Sequence, residues 1–129
     1  MTVLLDTSDI IDVLRNRKQR RQWLRGLLLE GHLLACCPVN VAEVYAGMRR
    51  EEADATDEFF GGLEYIEISE TAARKAGLMK SEWKDKGHTL SLPDVLVAAV
   101  AMTHGLSLAT DNVRHYPMPE IRLLPLSTA

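Results

Sequence analysis

Apolar and polar positions fall into short blocks along the chain. Val3, Leu4 and Leu5 run directly into Asp6 and predict a first strand over 3–5. Ile10, Ile11, Val13 and Leu14 then fit one face of a short helix, and Trp23, Leu24, Leu27 and Leu28 fit a second, stopped by Gly31. A strand over 33–37 ends at Pro38. Val41, Val44, Tyr45 and Met48 recur at i, i+3, i+4 and i+7, which is helical spacing. A helix over about 51–61 is broken by Gly61-Gly62, and a strand follows over 65–68. Ser69 stands where it can cap a helix with the stripe Ala72, Ala76, Met79 and Trp83, closed by Gly87. Residues 93–104 are apolar nearly all round, so they predict a buried central helix. Strands over 106–109 and 121–124 complete the pattern.

Strands that alternate with helices imply right-handed crossovers and a parallel sheet covered on both faces. The expected fold class is α/β, a three-layer α/β/α sandwich with a mostly parallel five-stranded sheet. No repeat, low-complexity tract or Pro/Gly/Ser linker interrupts the chain, so a single domain over 1–129 is expected. Sheets of this kind bind ligands beyond the carboxyl ends of their strands. An acidic residue at such an end therefore carries information.

Four polar clusters stand there. Asp6 closes the first strand. It is either the N-cap of the following helix, a role Ser8 also suits, or a functional carboxylate. Asp9 and Asp12 lie within that helix. Asp9 suits the positive end of the helix dipole, and Asp12 is expected to face solvent. Glu43 follows the second strand, with neither Lys nor Arg at i+4 to make it a surface ion pair. Asp94 opens the buried helix beside Pro93, as a cap or as a functional group. Thr110, Asp111 and Asn112 follow the fourth strand, where Asp-Asn is also ordinary turn chemistry. Burying several carboxylates together is costly through repulsion and desolvation. A divalent cation offsets that cost, and hard oxygen ligands select Mg²⁺ or Mn²⁺.

Charge narrows the function classes. A net charge of −3 and a pI of about 5.8 argue against gripping nucleic acid by bulk electrostatics. The distribution is uneven, however. Arg15, Arg17, Lys18, Arg20, Arg21 and Arg25 form a basic run, and Glu51, Glu52, Asp54, Asp57 and Glu58 an acidic block. Each is either a solvated helix face or a contact surface for a polyanion or a protein partner. Adjacent Cys36 and Cys37 lie in an apolar run, without His or Cys at zinc spacing, and are expected as buried thiols. The longest apolar run, 95–102, is too short to span a membrane, and the N-terminus lacks the pattern of a signal peptide. A cytoplasmic protein with no membrane partner is expected.

The segments DTS (6–8), AEVYAG (42–47), LPDVLVAAVAMTHGLSLAT (92–110) and TDN (110–112) resemble PIN-domain ribonucleases, and more narrowly VapC toxins of type II toxin–antitoxin modules. The resemblance covers essentially the whole chain. It implies a PIN-like sandwich and Mg²⁺- or Mn²⁺-dependent cleavage of RNA; in-line attack by water, the mechanism expected of such a site, leaves a 5′-phosphate and a 3′-hydroxyl. Residue by residue, Asp6, Glu43 and Asp94 match the family's acidic triad and are the expected metal ligands. Ser8 and Thr110 match supporting positions. The family's fourth acidic position falls on Asn112 and Asp111 stands one place earlier, so both are candidates. Arg114 is a candidate contact to RNA phosphate, with His115 beside it. The resemblance further implies a cognate antitoxin, DNA contact only through that antitoxin, and a homodimer. The 15–25 and 41–48 helices are candidates for partner contact.

Three other readings remain open at this level. A PIN fold can serve as a non-catalytic module binding an antitoxin and its operator complex. A DNA-directed nuclease shares the same metal chemistry. A receiver domain also places an aspartate at a strand end, but it needs an acidic pair near the first strand and a lysine after the last, and neither is present here.

Overall fold

The structure is a computed structural model that describes residues 1–126. The strands are β1 (Thr2–Leu5), β2 (Leu33–Cys36), β3 (Glu64–Tyr65), β4 (Ser107–Thr110) and β5 (Arg122–Pro125). The helices are α1 (Thr7–Leu14), α2 (Arg20–Leu29), α3 (Pro38–Gly47), α4 (Ala53–Gly61), α5 (Glu70–Asp85) and α6 (Leu92–Thr103). The sheet runs β3-β2-β1-β4-β5, and all of its pairings are parallel. This order differs from the 2-1-3-4-5 arrangement of receiver-type sheets, which removes that reading.

Both faces of the sheet are covered, which explains why β1 is an unbroken apolar run rather than an alternating one. Leu4, Ala35 and Leu108 point into a core shared with α5 and α6. Val3, Leu5, Leu34 and Ala109 point the other way, into a core with Ile10 of α1, Leu27 of α2 and Val44 of α3. Helix α6 is buried through Val95 and Val97–Ala101, as its apolar composition predicts.

Several expected boundaries move by one residue, β4 to Ser107–Thr110 and β5 to Arg122–Pro125 among them, and three others bear on the fold. Strand β2 stops at Cys36 because Cys37 becomes the N-cap of α3, with Pro38 in the first turn. Strand β3 covers Glu64–Tyr65 rather than 65–68; the Ile66 N–H still bonds the Cys36 carbonyl at 2.8 Å, and Ile66 and Ile68 pack against the core. The helix expected over 51–61 starts as a 3₁₀ turn, Arg50–Glu52, and becomes α-helical at Ala53. Cys36 and Cys37 are free and buried, as expected, and burial pushes the Cys36 thiol up to about 11. Among the described residues, no helix is long and apolar enough to cross a membrane.

Candidate active site

The chain passes from β1 to β2 on one side of the sheet, then returns to place β4 on the other side of β1. The carboxyl ends of β1 and β4 therefore form the switch point where such sheets open a crevice. Asp6 follows β1 there, and its backbone N–H bonds the carbonyl of Ala109 at 3.0 Å, continuing the β1–β4 ladder by one step.

Asp6 is also the N-cap of α1: its Oδ1 accepts the Thr7 N–H at 2.9 Å. Capping and function were alternatives in the sequence, and the geometry gives the residue a cap while leaving it at the crevice. The carboxylate is only 6% exposed. Its Oδ2 accepts the Thr110 hydroxyl at 2.6 Å, and its Oδ1 also accepts the Tyr116 hydroxyl at 3.0 Å. An anion held by that many donors has a fixed rotamer and a tolerable burial cost.

Asp94 is not the cap of α6. Ser91 takes that role, accepting the Asp94 N–H at 3.2 Å, so the Asp94 carboxylate is left for other contacts. Its Oδ1 lies 3.4 Å from the Tyr116 hydroxyl, and its Oδ2 lies 3.3 Å from Nδ1 of His115. Burial and the charges of Asp6 and Asp94 raise the pKa of the Tyr116 hydroxyl, which keeps it a proton donor.

Glu43 stands on the exposed side of α3 and reaches this edge through Thr7. The Thr7 hydroxyl donates to Glu43 Oε1 at 2.7 Å and accepts from Asn40 Nδ2 at 3.0 Å. The same threonine thus binds Asp6 through its backbone and Glu43 through its side chain. Asp6, Asp94 and Glu43 share one edge but are joined through Tyr116 and Thr7. Among the described residues, no three His, Cys, Asp or Glu side chains are gathered closely enough to form a finished metal cage.

The two candidates for the fourth corner separate. Asn112 donates from its side chain to the Ser8 hydroxyl at 2.9 Å, and its backbone N–H bonds the Thr110 hydroxyl at 2.9 Å. Asp111 faces elsewhere, with its carboxylate 3.1 Å from Arg20 and 3.3 Å from Lys18. Arg114 and His115 are exposed on the 3₁₀ turn Val113–His115.

Two sequence expectations for the neighbouring acids are corrected. Asp12 does not face solvent: it is 7% exposed, and Lys18 approaches it at 3.7 Å. Asp9 is more than a helix-dipole residue. It is 1% exposed, lies 3.5 Å from the buried Arg20, and accepts the Asp111 N–H at 3.2 Å. Burial, reinforced by the charge of Asp6, pushes the Asp9 carboxyl up to about 7; the Asp111 N–H and the Arg20 guanidinium oppose this without cancelling it. The basic run is partly absorbed as well. Arg15 pairs with Glu52 at 3.2 Å, and Arg21 binds the Val13 and Leu14 carbonyls at the end of α1.

Sequence reasoning missed Tyr116, Thr7 and Asn40. Tyr116 sits in a polar turn, RHYP, with no periodicity to place it. Asn40 had a signal: it is the polar residue one helical turn before Glu43 in an otherwise apolar segment.

A family model described as PIN domain matches residues 3–120. Ribonuclease VapC10 of Mycobacterium tuberculosis is 34% identical over 118 residues, covering 92% of this chain and 88% of its own length. Ribonuclease VapC19 of the same organism is 30% identical over 115 residues, covering 89% and 92%. The fold is shared with the toxin–antitoxin complex VapBC2 from Rickettsia felis bound to a DNA fragment of its promoter. The TM-score there is 0.86 at 21% identity, over 98% of this chain and 100% of that one. DNA-bound VapBC from Salmonella typhimurium gives 0.81 at 22% identity, over 97% and 98%. By the match over residues 3–120 and the kinship with these ribonucleases, the chain belongs to the PIN-domain family, among the VapC ribonucleases.

Proposed function

We propose that the chain is the endoribonuclease toxin of a type II toxin–antitoxin pair, acting with Mg²⁺ or Mn²⁺. The observation that carries this reading is the meeting of Asp6 and Asp94 on one hydroxyl at the switch-point crevice, in a chain related to VapC ribonucleases. The donor chemistry fits a hard divalent cation: Asp6, Asp94 and Glu43 offer carboxylate oxygens. When bound, such an ion supplies charge neutralisation at the scissile phosphate and lowers the pKa of water.

The protein's own groups divide the remaining work. Asp6, fixed by Thr7, Thr110 and Tyr116, anchors the site from the rigid centre of the sheet. Asp94 approaches from the first turn of α6. Glu43 is exposed and held at Oε1 by Thr7, so its carboxylate is poised to orient the attacking water and accept its proton. Asn112 and Ser8 line the same edge as neutral donors. Arg114 offers a cation to an RNA phosphate at the crevice rim. Water attack leaves a 5′-phosphate and a 3′-hydroxyl.

The cognate antitoxin is proposed to dock in the cleft between α1, α3 and α4, lined by Ile11, Leu14, Val44, Gly47 and Met48. The fold relatives, DNA-bound VapBC2 of Rickettsia felis and DNA-bound VapBC of Salmonella typhimurium, support an antitoxin partner and DNA contact through it. RNA cleavage by Asp6→Asn and Asp94→Asn variants tests the assignment. Each is expected to lose at least about a hundredfold in rate, the scale of removing one preorganised charge-stabilising group. Full activity in either variant sinks it.

A further inference from the structure

Tyr116 ends the turn that leaves β4, and its ring is 2% exposed. The ring belongs to the same apolar cluster as Val97 and Leu108, so packing fixes where the hydroxyl stands. That hydroxyl lies 3.0 Å from Asp6 Oδ1 and 3.4 Å from Asp94 Oδ1. The two carboxylates come from distant parts of the chain, one after β1 and one in α6. The other donors to Asp6, Thr7 and Thr110, leave it at the end of the sheet. Tyr116 reaches across to Asp94 as well.

A phenol between two carboxylates has specific chemistry. Its one proton is donated to one anion or the other, which softens their repulsion without adding a charge. A lysine or arginine there would satisfy the same carboxylates but repel an incoming cation. A neutral donor leaves the negative potential of the crevice intact and still limits how the two carboxylates can turn. Groups that orient metal ligands from behind typically change metal affinity by 10- to 100-fold when removed.

We propose that Tyr116 is a positioning residue whose hydroxyl sets the orientation and spacing of Asp6 and Asp94 for a divalent cation. This rests on the reading that those two carboxylates hold the ion.

The test is Mn²⁺ binding to the RNA-free full chain, measured by titration calorimetry for the wild type and Tyr116→Phe. The phenylalanine keeps the ring, so packing is retained and only the hydroxyl is lost. Mn²⁺ affinity in Tyr116→Phe is expected to fall about tenfold, with the metal-free circular dichroism spectrum unchanged. Equal affinity overturns the inference while leaving the metal site standing. Tighter binding also overturns it, because the hydroxyl would then be a competitor of the ion. A wild type that binds no Mn²⁺ overturns the reading of the site and the inference with it.

A second measurement serves if Tyr116→Phe does not fold. The chain has 3 tyrosines. In a Tyr45→Phe, Tyr65→Phe background Tyr116 alone gives the tyrosine band. Mn²⁺ is expected to shift its ultraviolet difference spectrum; a flat tyrosine region at saturating Mn²⁺ overturns the proposal.

Discussion

Asp9 shows how a single residue can escape its sequence context. It sits in the first turn of α1, where a carboxylate needs no further explanation. The link to α2, however, passes through left-handed backbone at Asn16, Lys18 and Gln19, a conformation that Asn tolerates and that is unfavourable for Lys and Gln. That path returns Arg20 beneath Asp9 and Asp111, and Lys18 over Asp12. Asp9 is buried chiefly at the cost of its charge, so its folded pKa is about 7 against 3.8 for the ordinary carboxyl. The sign follows from proton uptake. Between about pH 4 and 7 the folded state holds a proton that the unfolded state has released, so stability falls as pH rises through that window. It is fully present below the unfolded value and lost above the folded one. Asp9→Asn lacks this titration. Its melting temperature relative to wild type is therefore expected to climb as pH goes from 4 to 8, measured by thermal denaturation. A difference that is flat with pH contradicts the account.

At the scale of elements, the site depends on how α1 and α3 are joined. Thr7 opens α1 and binds Glu43 and Asn40 of α3. Asn40 in turn accepts the Cys37 N–H at 2.8 Å, so it caps its own helix while supporting Thr7. Thr7→Val is nearly the same shape but removes the hydroxyl. It leaves a fully buried Asn40 donor unmatched, at a cost of about 1–3 kcal/mol in urea denaturation. It also releases Glu43, so kcat should fall with little change in KM. Asn40→Ala should cost a similar amount, and the double variant less than the sum, because both act on one network. Additive losses would show that the two residues work separately.

The helices and strands themselves were legible, because apolar spacing and caps such as Ser69 act locally. The placement of Asp6, Glu43 and Asp94 at one edge was legible too, as acids beside strand ends. The groups that join them were not. Tyr116 reaches Asp6 and Asp94, and Arg20 reaches Asp9, by way of turns whose geometry is set by tertiary packing. Nothing in RHYP or KQRRQ announces it.

The whole molecule decides where the carboxylates meet. With β1 central in the order β3-β2-β1-β4-β5, Asp6 stands at the middle of the sheet edge rather than its rim, and α6 brings Asp94 to the same end. The fold therefore concentrates negative charge at the end of its central strand, where the donors to Asp6 hold its carboxylate in place. Self-repulsion there is a standing cost to the folded state, absent once the chain unfolds and the acids separate. A divalent cation that binds the folded edge and not the unfolded chain removes this cost and adds its binding energy. At a free concentration a hundredfold above its dissociation constant it stabilises by about 2.7 kcal/mol. For a chain of 129 residues that corresponds to a rise of roughly 5–15 °C in melting temperature. Mg²⁺ or Mn²⁺ should produce the rise in the wild type, and a chelator should reverse it. Asp6→Asn and Asp94→Asn should each abolish it, whereas Glu82→Gln on the outer face of α5 should keep it. Differential scanning fluorimetry distinguishes these outcomes. An equal rise in all the proteins would place the ion away from the β1–β4 edge.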